Sequence, residues 1–349
     1  MRILFLPNWR VFRTRADRQR ADYYEPGSPY WFFEHFADRP EVAVLDAARW
    51  AGWRLEERYL HFYLVQGIVA IFAARRADVV LVHGAQSAVV LLAAKRICPK
   101  ALPPIVVVDV GTLNGGRPER WDFAVARWAF SACSAIIWHA RVSSKIVAEH
   151  APELVKRGVF VPFGIDEREY PVAESYDGDY AVCVGYARRD WSTLFSAWES
   201  LDGLPLLLVG APSRVAERLP VGVRVVPPVS FSEYIRLVRE ARLVVLPVED
   251  GRASWGQMTL LQTMIMGRPV VVTDAAPVRD YTRRGVEAVP PGDAPALAAA
   301  VRATWQDREM RARLGREARD AVLTGYRERD MARCIEEVLR DASTCRTSQ

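Results

Sequence analysis

The sequence predicts an α/β protein of two doubly wound domains, each with a parallel sheet between layers of helices. A chain of 349 residues is longer than one compact core usually supports. Short apolar segments alternate with longer helical patterns in two successive sets. The segments Ile105–Val108 and Leu206–Val209 are apolar without interruption, which is typical of strands covered on both faces. Ligand sites of such domains lie at the carboxyl ends of the strands.

Each half of the chain contributes its own set of predicted strands, with helices between them. The strands of the first set are Ile3–Leu6, Ala43–Leu45, Val79–Val82, Ile105–Val110, Ala135–Trp138 and Val159–Val161. Those of the second set are Tyr180–Val184, Leu206–Val209, Val223–Val226, Leu243–Pro247, Pro269–Thr273 and Glu287–Val289. The predicted helices include Glu57–Ala74, Asp122–Ser131, Ser143–His150, Trp191–Ser200, Phe231–Ala241, Met258–Met266, Asp307–Leu323 and Glu328–Asp341.

A domain boundary is expected where the strand ending at Val161 passes into a Pro- and Gly-containing polar stretch, Phe163–Asp177. An N-terminal domain would then cover residues 1–165 and a C-terminal domain residues 166–325. Residues 326–349 would form a helix and tail that pack back toward the N-terminal domain.

Composition is that of an ordinary soluble globular protein, half apolar and a quarter charged, and a cytoplasmic location is expected. No apolar run is long enough to span a bilayer, and the first residues favour a strand over a signal peptide. The five cysteines are scattered, which argues against a zinc site and against a disulfide framework. No metal or other cofactor is expected.

Positive charge is concentrated in residues 1–150, which hold 20 Lys and Arg against 14 Asp and Glu. This bias suits an anionic ligand or the cytoplasmic face of an acidic inner membrane, although a merely solvated surface explains it equally well. Nucleic acid is not expected as a partner, since no dense basic stripe is present. The apolar stretch His61–Ala74 also has two interpretations. A core helix is the simpler one, and contact of the neighbouring Arg75 and Arg76 with lipid phosphates is the alternative.

The segment Leu243–Asp274 carries the clearest chemical signal. A strand ends at Pro247, a loop with Ser254, Gly256 and Gln257 follows, and a helix begins. Backbone N–H groups at a helix N-terminus, with the positive end of the helix dipole, suit a diphosphate. Thr259 and Gln262 lie within the first turns of this helix. An ordinary strand-to-helix connection is the alternative.

This segment resembles the donor-binding signature of GT-B glycosyltransferases, particularly the retaining family 4, or group 1. Gly267-Arg268-Pro269-Val270-Val271 is similar to the end of that signature, which places Gln262 at the second of two paired glutamates and Ser254 at the first. The second glutamate holds the ribose hydroxyls in the family. The pattern Gly256, Thr259, Gln262 is also similar to an inverting transferase that adds N-acetylglucosamine to a lipid-linked precursor. The resemblance therefore leaves retention and inversion both open, with retention slightly favoured.

Further landmarks occur in the family's order between Val159 and Leu323. Val161-Pro162-Phe163-Gly164-Ile165-Asp166 resembles the end of the family's N-terminal domain, and the run from Gly185 to Leu194 resembles its glycine loop and helix start. Anchoring on Leu194 places Arg189 at the phosphate-binding lysine, with Arg188 beside it. Arginine can stabilise the charge of a departing diphosphate with paired hydrogen bonds. Gly210 ends the next strand, and Ser230 lies within Pro227–Glu233, where the family reads the nucleobase.

In proteins of this fold the N-terminal Rossmann-like domain faces the C-terminal one across a cleft, binds the acceptor and supplies any catalytic base. His83, Asp109 and His139 are candidates because each lies at the carboxyl end of a predicted strand, although each could instead anchor a loop. The stretch Asn8–Phe36 mixes arginines with aromatic residues, which suits an acidic or phosphorylated sugar acceptor. Packing of its aromatics on the sheet is the alternative. The candidate acceptor contacts are Arg10, Arg13, Tyr30 and Trp31.

The sequence therefore predicts an enzyme that moves a sugar from a UDP- or GDP-sugar to an acceptor hydroxyl. The acceptor would be a sugar, a lipid-linked molecule of the cell envelope or a small-molecule aglycone. A nucleotide-sugar 2-epimerase has the same fold, but it needs carboxylates where Ser254 and Gln262 stand. A non-catalytic nucleotide-sugar-binding protein is a further alternative, suggested by the same two replacements.

Overall fold

Two separate sheets of six parallel strands organise the chain. The computed structural model describes residues 1–9, 11, 31–47, 50, 52–111, 113, 118–185, 188–212, 215 and 218–344. The N-terminal sheet has the order β2-β1-β3-β4-β5-β6 and the C-terminal sheet the order β12-β11-β10-β7-β8-β9. Their strands are β1 Arg2–Pro7, β2 Glu41–Val44, β3 Val79–His83, β4 Ile105–Val108, β5 Ala135–Trp138, β6 Gly158–Phe160, β7 Ala181–Val184, β8 Leu206–Val209, β9 Val223–Val226, β10 Leu243–Leu246, β11 Val270–Thr273 and β12 Glu287–Val289.

The predicted fold class is confirmed, because every strand pairing within both sheets is parallel. The central strands β3, β4, β7 and β10 are buried along their whole length, as the uninterrupted apolar runs predict. Parallel pairing also brings all carboxyl ends of a sheet to one edge, so the residues that follow neighbouring strands lie side by side.

Helices connect the strands and cover the sheets. In chain order they are α1 Trp53–Tyr59, α2 Leu64–Ala73, α3 Ala85–Ile97, α4 Trp121–Phe130, α5 Val142–His150, α6 Trp191–Glu199, α7 Phe231–Glu240, α8 Gln257–Ile265, α9 Ala294–Gln306, α10 Arg308–Gly325 and α11 Glu328–Thr344.

The single helix predicted over Glu57–Ala74 is wrong, because α1 and α2 are separated by a turn. His61 adopts the left-handed conformation there, with φ of 61°. The turn allows Tyr63 to enter the core and its N–H to donate to the carbonyl of Gln86, at 3.0 Å. A continuous helix would have committed that N–H to its own ladder.

The interpretation of His61–Ala74 as a core helix is confirmed for one face of α2 and wrong for the opposite face. The residues of α2 that are buried are Gln66, Gly67 and Ala70, which are small or polar. Ile68 and Phe72 point outward and are exposed. Close contact with α3 explains the small residues, since a Cβ at Gly67 would overlap the side chain of Val90.

Two chain segments cross between the domains side by side. The N–H of Ile165 donates to the carbonyl of Tyr326, and the N–H of Glu328 donates to the carbonyl of Ile165, each at 2.9 Å. After the second crossing, α11 packs on the N-terminal sheet through Met331 and Ile335, which share a core cluster with Phe5 of β1 and other residues. The last helix therefore belongs by its packing to the N-terminal half.

None of the helices formed by the described residues is both long enough and apolar enough to cross a bilayer.

Removal of the packing of α11 should destabilise the N-terminal half selectively. Ile335→Ala creates a cavity at a fully buried position and should lower the free energy of unfolding by about 2–5 kcal/mol. Glu337→Ala, on the exposed face of the same helix, is the matched control. Chemical unfolding followed by tryptophan fluorescence and circular dichroism measures both. Equal stability of the two variants would contradict the packing described.

Candidate functional site

Two glycines at neighbouring strand ends open a backbone surface at the carboxyl edge of the C-terminal sheet. Gly185 follows β7 and Gly210 follows β8, with φ of 93° and 80°. A Cβ built on Gly210 would lie 3.9 Å from backbone atoms of Gly185, so the two loops run side by side. Residues with side chains rarely adopt this conformation, and their side chains would fill the surface. A phosphate group can approach such a backbone closely.

Arg189 lies buried directly behind the first glycine loop. Its side chain is 3% exposed, and its Nε donates to the carbonyl of Val184 at 3.0 Å. A Cβ at Gly185 would stand 2.5 Å from the guanidinium Nη2. The absence of a side chain at Gly185 therefore leaves room for the guanidinium, and a fixed positive charge lies at the end of β7.

Arg188 is exposed at the rim, in contrast to its neighbour. It has φ of 53°, lies 5.3 Å from the ring centre of Trp255 and pairs loosely with Glu249 at 3.6 Å. Trp255 in turn donates its Nε1–H to the carbonyl of Glu249 at 3.0 Å. These contacts join the loop after β7 to the loop that precedes α8. Neither Trp255 nor Glu249 was among the residues predicted for the site.

The start of α8 is held by the side chain of Gln257. Its Nε2 donates to Ser254 Oγ and to the carbonyl of Pro277, both at 2.8 Å. Gly256 caps the helix with φ of 87°, and Thr259 is half-buried in the first turn. The first backbone N–H groups of a helix have no partner within it and lie at the positive end of its dipole. Ser254 and Gln257 thus fix the loop that presents these groups.

Gln262 lies in the core rather than on the surface of the site. Only 2% of it is exposed, its Oε1 accepts from the hydroxyl of Tyr234 at 2.8 Å, and its Nε2 donates to the hydroxyl of Tyr170 at 3.0 Å. The amide at the position of the family's ribose-binding glutamate is therefore committed to two tyrosines. Ser230 likewise serves a structural purpose, since it caps α7 by accepting from the N–H of Glu233 at 3.2 Å.

The three candidate bases come together at the carboxyl edge of the N-terminal sheet, because β3, β4 and β5 are neighbours. All three are buried: His83 is 8% exposed, Asp109 0% and His139 2%. Asp109 accepts from the N–H of Gly111 at 3.2 Å, as a loop-anchoring carboxylate would. Burial lowers the pKa of His83 well below its usual value, with a further contribution from His139.

His139 also takes part in the contact between the domains. Its Nδ1 lies 2.8 Å from the carbonyl of Val161, and burial lowers its pKa to about 4. Its own carbonyl accepts from the hydroxyl of Tyr281 at 2.5 Å, and the same hydroxyl accepts from the N–H of Phe163 at 2.8 Å. Tyr281 was not predicted as part of the site, since nothing local in the sequence places it against the other domain.

The aromatic residues of the predicted acceptor segment that the structure describes differ in their burial. Phe32 and Phe33 pack into the core against Phe5, which confirms for these two rings the alternative that the aromatics of this stretch pack on the sheet. Trp31 is half-buried and contacts Phe33 at a centre distance of 5.1 Å. The other candidate contacts, Arg10, Arg13 and Tyr30, lie outside the described residues.

Comparison with known proteins supports the resemblance. Residues 180–307 match the model of the family "Glycosyl transferases group 1", which covers the strands, glycine loops and helix start described above. The predicted resemblance is thereby confirmed over this segment. No curated protein matches the sequence of the chain.

Solved structures share the whole two-domain architecture. A sucrose-phosphate synthase from Thermosynechococcus elongatus aligns over 99% of this chain and 100% of its own, with a TM-score of 0.76 and 15% identity. Anabaena HepE in complex with UDP-glucose aligns over 100% of both chains, with a TM-score of 0.69 and 16% identity. A glycosyltransferase from Rickettsia africae aligns over 98% of both, with a TM-score of 0.67 and 12% identity. At such identities the likeness shows the GT-B fold.

The buried histidines should make the protein less stable in mild acid. An unfolded histidine has a pKa of about 6.5, whereas folded His139 has one of about 4. Between these values the unfolded chain binds a proton that the folded chain does not, so the free energy of unfolding falls as pH decreases. His139→Gln should reduce this dependence on pH. The free energy of unfolding that is lost between the two pKa values should become smaller by up to about 3 kcal/mol. Denaturant unfolding at several pH values measures it, with His150→Gln as control. An unchanged dependence of the free energy of unfolding on pH would contradict the lowered pKa of His139.

The amide of Gln262 should matter more for stability than for ligand binding. Gln262→Leu leaves two buried hydroxyls without this partner and should lower the free energy of unfolding by about 1–3 kcal/mol. The double variant with Tyr234→Phe should lose less than the sum of the single changes. The affinity for UDP or GDP should change less than about threefold, which is under 1 kcal/mol. A folded Gln262→Leu variant that no longer binds either nucleotide would place the side chain in the donor site instead.

Proposed function

We propose that this chain, a GT-B protein whose residues 180–307 match the group 1 glycosyl transferases, moves a sugar from a nucleoside-diphosphate sugar to an acceptor hydroxyl. One observation carries the proposal. The matched segment brings Gly185, Gly210, Arg189 and the N-terminus of α8 to one edge of one sheet. HepE binds UDP and UDP-glucose on the same fold, which supports a UDP-sugar as the donor.

The proposed chemistry requires stabilisation of the departing diphosphate. The bond from the sugar to the phosphate breaks, and negative charge grows on the leaving oxygen. Arg189 and the first turn of α8 supply positive charge without reorganisation, the backbone at Gly185 and Gly210 leaves room for the phosphates, and Arg188 lies at the rim. Ser254, Gln257 and Thr259 complete the proposed donor site. We propose transfer without a metal.

Retention of configuration is the stereochemical outcome we propose. An inverting transferase needs a base within hydrogen-bond reach of the acceptor hydroxyl. His83, Asp109 and His139 are each at most 8% exposed. A retaining transferase instead depends on stabilisation of an oxocarbenium-like state and its leaving phosphate, which the donor site supplies.

The N-terminal domain, residues 1–165, is the proposed acceptor side, and residues 166–325 form the proposed donor domain. Residues 326–349 contribute the helix α11, which packs on the acceptor side. We propose a cytoplasmic enzyme of cell-envelope glycan, glycolipid or natural-product glycosylation.

A non-catalytic nucleotide-sugar-binding protein is the second candidate. It is favoured by the hydrogen bonds of Gln262 to Tyr170 and Tyr234. Because of them, the side chain at the position of the family's second glutamate is not directed at the ribose or the sugar of the donor. Slow hydrolysis of the donor without acceptor separates the two candidates. A binder would hold UDP-glucose or its GDP counterpart without turnover.

Loss of the buried guanidinium should weaken binding of the diphosphate but not of the nucleoside. Arg189→Ala should raise the Kd for UDP or GDP by about 10- to 100-fold, because a charged hydrogen-bond donor is worth roughly 1.5–3 kcal/mol. Binding of uridine or guanosine should stay within about threefold. Calorimetry measures both ligands. Arg224→Ala, at an exposed position on β9, is the matched control.

Two outcomes decide the phosphate assignment of Arg189. Equal weakening of nucleoside and nucleotide in a folded variant would contradict it. Donor hydrolysis by the wild-type protein, reduced in Arg189→Ala and unchanged in Arg224→Ala, would support catalysis over binding alone.

A further inference from the structure

The helix α2 presents four of its large apolar side chains to the outside of the protein. Leu64, Val65, Ile68 and Phe72 follow the spacing of one helix face, and they are 39%, 37%, 45% and 63% exposed. The opposite face carries Gln66, Gly67 and Ala70 toward the protein. A helix on the surface of a soluble domain ordinarily does the reverse.

The preceding helix, α1, also exposes large apolar side chains. Leu55 and Tyr59 lie one turn apart on α1 and are 61% and 65% exposed. Of the twelve large apolar side chains that are exposed among the described residues, nine lie between Leu55 and Trp128. An apolar patch of this kind on a protein surface marks an interaction site. We call Leu55, Tyr59, Leu64, Val65, Ile68 and Phe72 the apolar face.

Arginines border the apolar face on both sides. Arg54 and Arg58 lie on α1, while Arg75 and Arg76 follow α2, and all four are exposed. The guanidinium of Arg75 lies 5.6 Å from the ring centre of Phe72, and that of Arg58 lies 5.6 Å from the ring centre of Tyr59. Exposed apolar side chains flanked by long cationic side chains are typical of a helix that lies in a membrane interface.

Local acidic residues do not cancel this charge. The same stretch contains two carboxylates, Glu56 and Glu57, against the four arginines. Glu56 accepts from the backbone N–H of Val65 at 3.2 Å, and so helps to join α1 to α2. The surface keeps a net positive charge, which is complementary to anionic lipid head groups.

The start of α2 lies at the same sheet edge as the proposed acceptor side. Gln66 Nε2 donates to the carbonyls of Pro7 and Leu45, at 2.9 and 2.7 Å, where β1 and β2 end. Tyr63 donates to Gln86, just beyond His83. A partner that binds the apolar face would therefore lie close to this edge of the N-terminal sheet.

We propose that the apolar face and its four arginines dock on an anionic lipid bilayer, with α2 lying in the interface. The inference extends to the substrate, and there it rests on the proposed function: an acceptor edge held at a bilayer indicates a lipid-linked acceptor.

Vesicle sedimentation tests the surface directly. The full-length protein should bind vesicles of phosphatidylcholine mixed with phosphatidylglycerol, bind pure phosphatidylcholine much more weakly, and dissociate from the mixed vesicles as salt increases. Ile68→Ser with Phe72→Ser should reduce binding by at least about tenfold, because burial of two large side chains is lost. Arg75→Ala with Arg76→Ala should reduce it by about tenfold and weaken its salt dependence.

Matched variants in the C-terminal half control for general changes of surface. Val172→Ser with Val221→Ser removes apolar side chains that are 44% and 82% exposed, and Arg224→Ala with Arg316→Ala removes exposed charges. Neither pair should alter vesicle binding. Unchanged thermal unfolding and UDP or GDP binding show that the variants of the apolar face remain folded.

Two results would overturn the docking surface. One is wild-type binding to anionic vesicles no stronger than to pure phosphatidylcholine. The other is concentration-dependent self-association that Ile68→Ser with Phe72→Ser abolishes in the absence of vesicle binding, which would make the face a contact between copies of this chain. Vesicle binding by a protein that binds no UDP or GDP would support the surface while removing the proposed function and its lipid-linked acceptor.

Discussion

The parallel direction of all strands is the constraint on which the arrangement of this protein depends. Parallel neighbours need a crossover between them, so each strand pair requires a helix or long loop and each sheet is covered on both faces. The same direction gathers the residues after β7, β8 and β10 at one edge. Gly185, Gly210 and the loop before α8 become neighbours although they are distant in the chain, and the backbone conformation of the two glycines keeps that edge open.

The second constraint is the paired crossing between the domains. Ile165 bonds to both Tyr326 and the residue that begins α11, while Tyr281 joins the carbonyl of His139 to the N–H of Phe163. Burial, with Asp166 and Glu34 nearby, raises the pKa of Glu328 to about 8 at the same place. The crossing thus concentrates buried polar groups where the two domains meet, next to the carboxyl edge of the N-terminal sheet.

Burial separates the residues that look alike in the sequence. Arg188 and Arg189 are adjacent, yet one lies at the rim over Trp255 and the other behind Gly185. Gln262 stands where a ribose-binding carboxylate is expected, but two tyrosines hold it in the core. Local pattern gives the position of a residue on its helix or strand, whereas the contacts of its polar atoms come from segments far away in the chain.

The sequence by itself determined the two α/β domains, the strands and the segment from Leu243 to Asp274 as a donor-site candidate, because uninterrupted apolar runs, glycines and helix starts are local properties. It could not determine which side of α2 faces the solvent. An apolar run of this length is typical of a core helix, but in α2 the face with Gly67 packs closely on Val90, and Ile68 and Phe72 on the opposite face are exposed. Tertiary structure decided this, as it decided the roles of Gln262 and Tyr281, because packing against distant segments selects the side of a helix and the partner of a buried polar group.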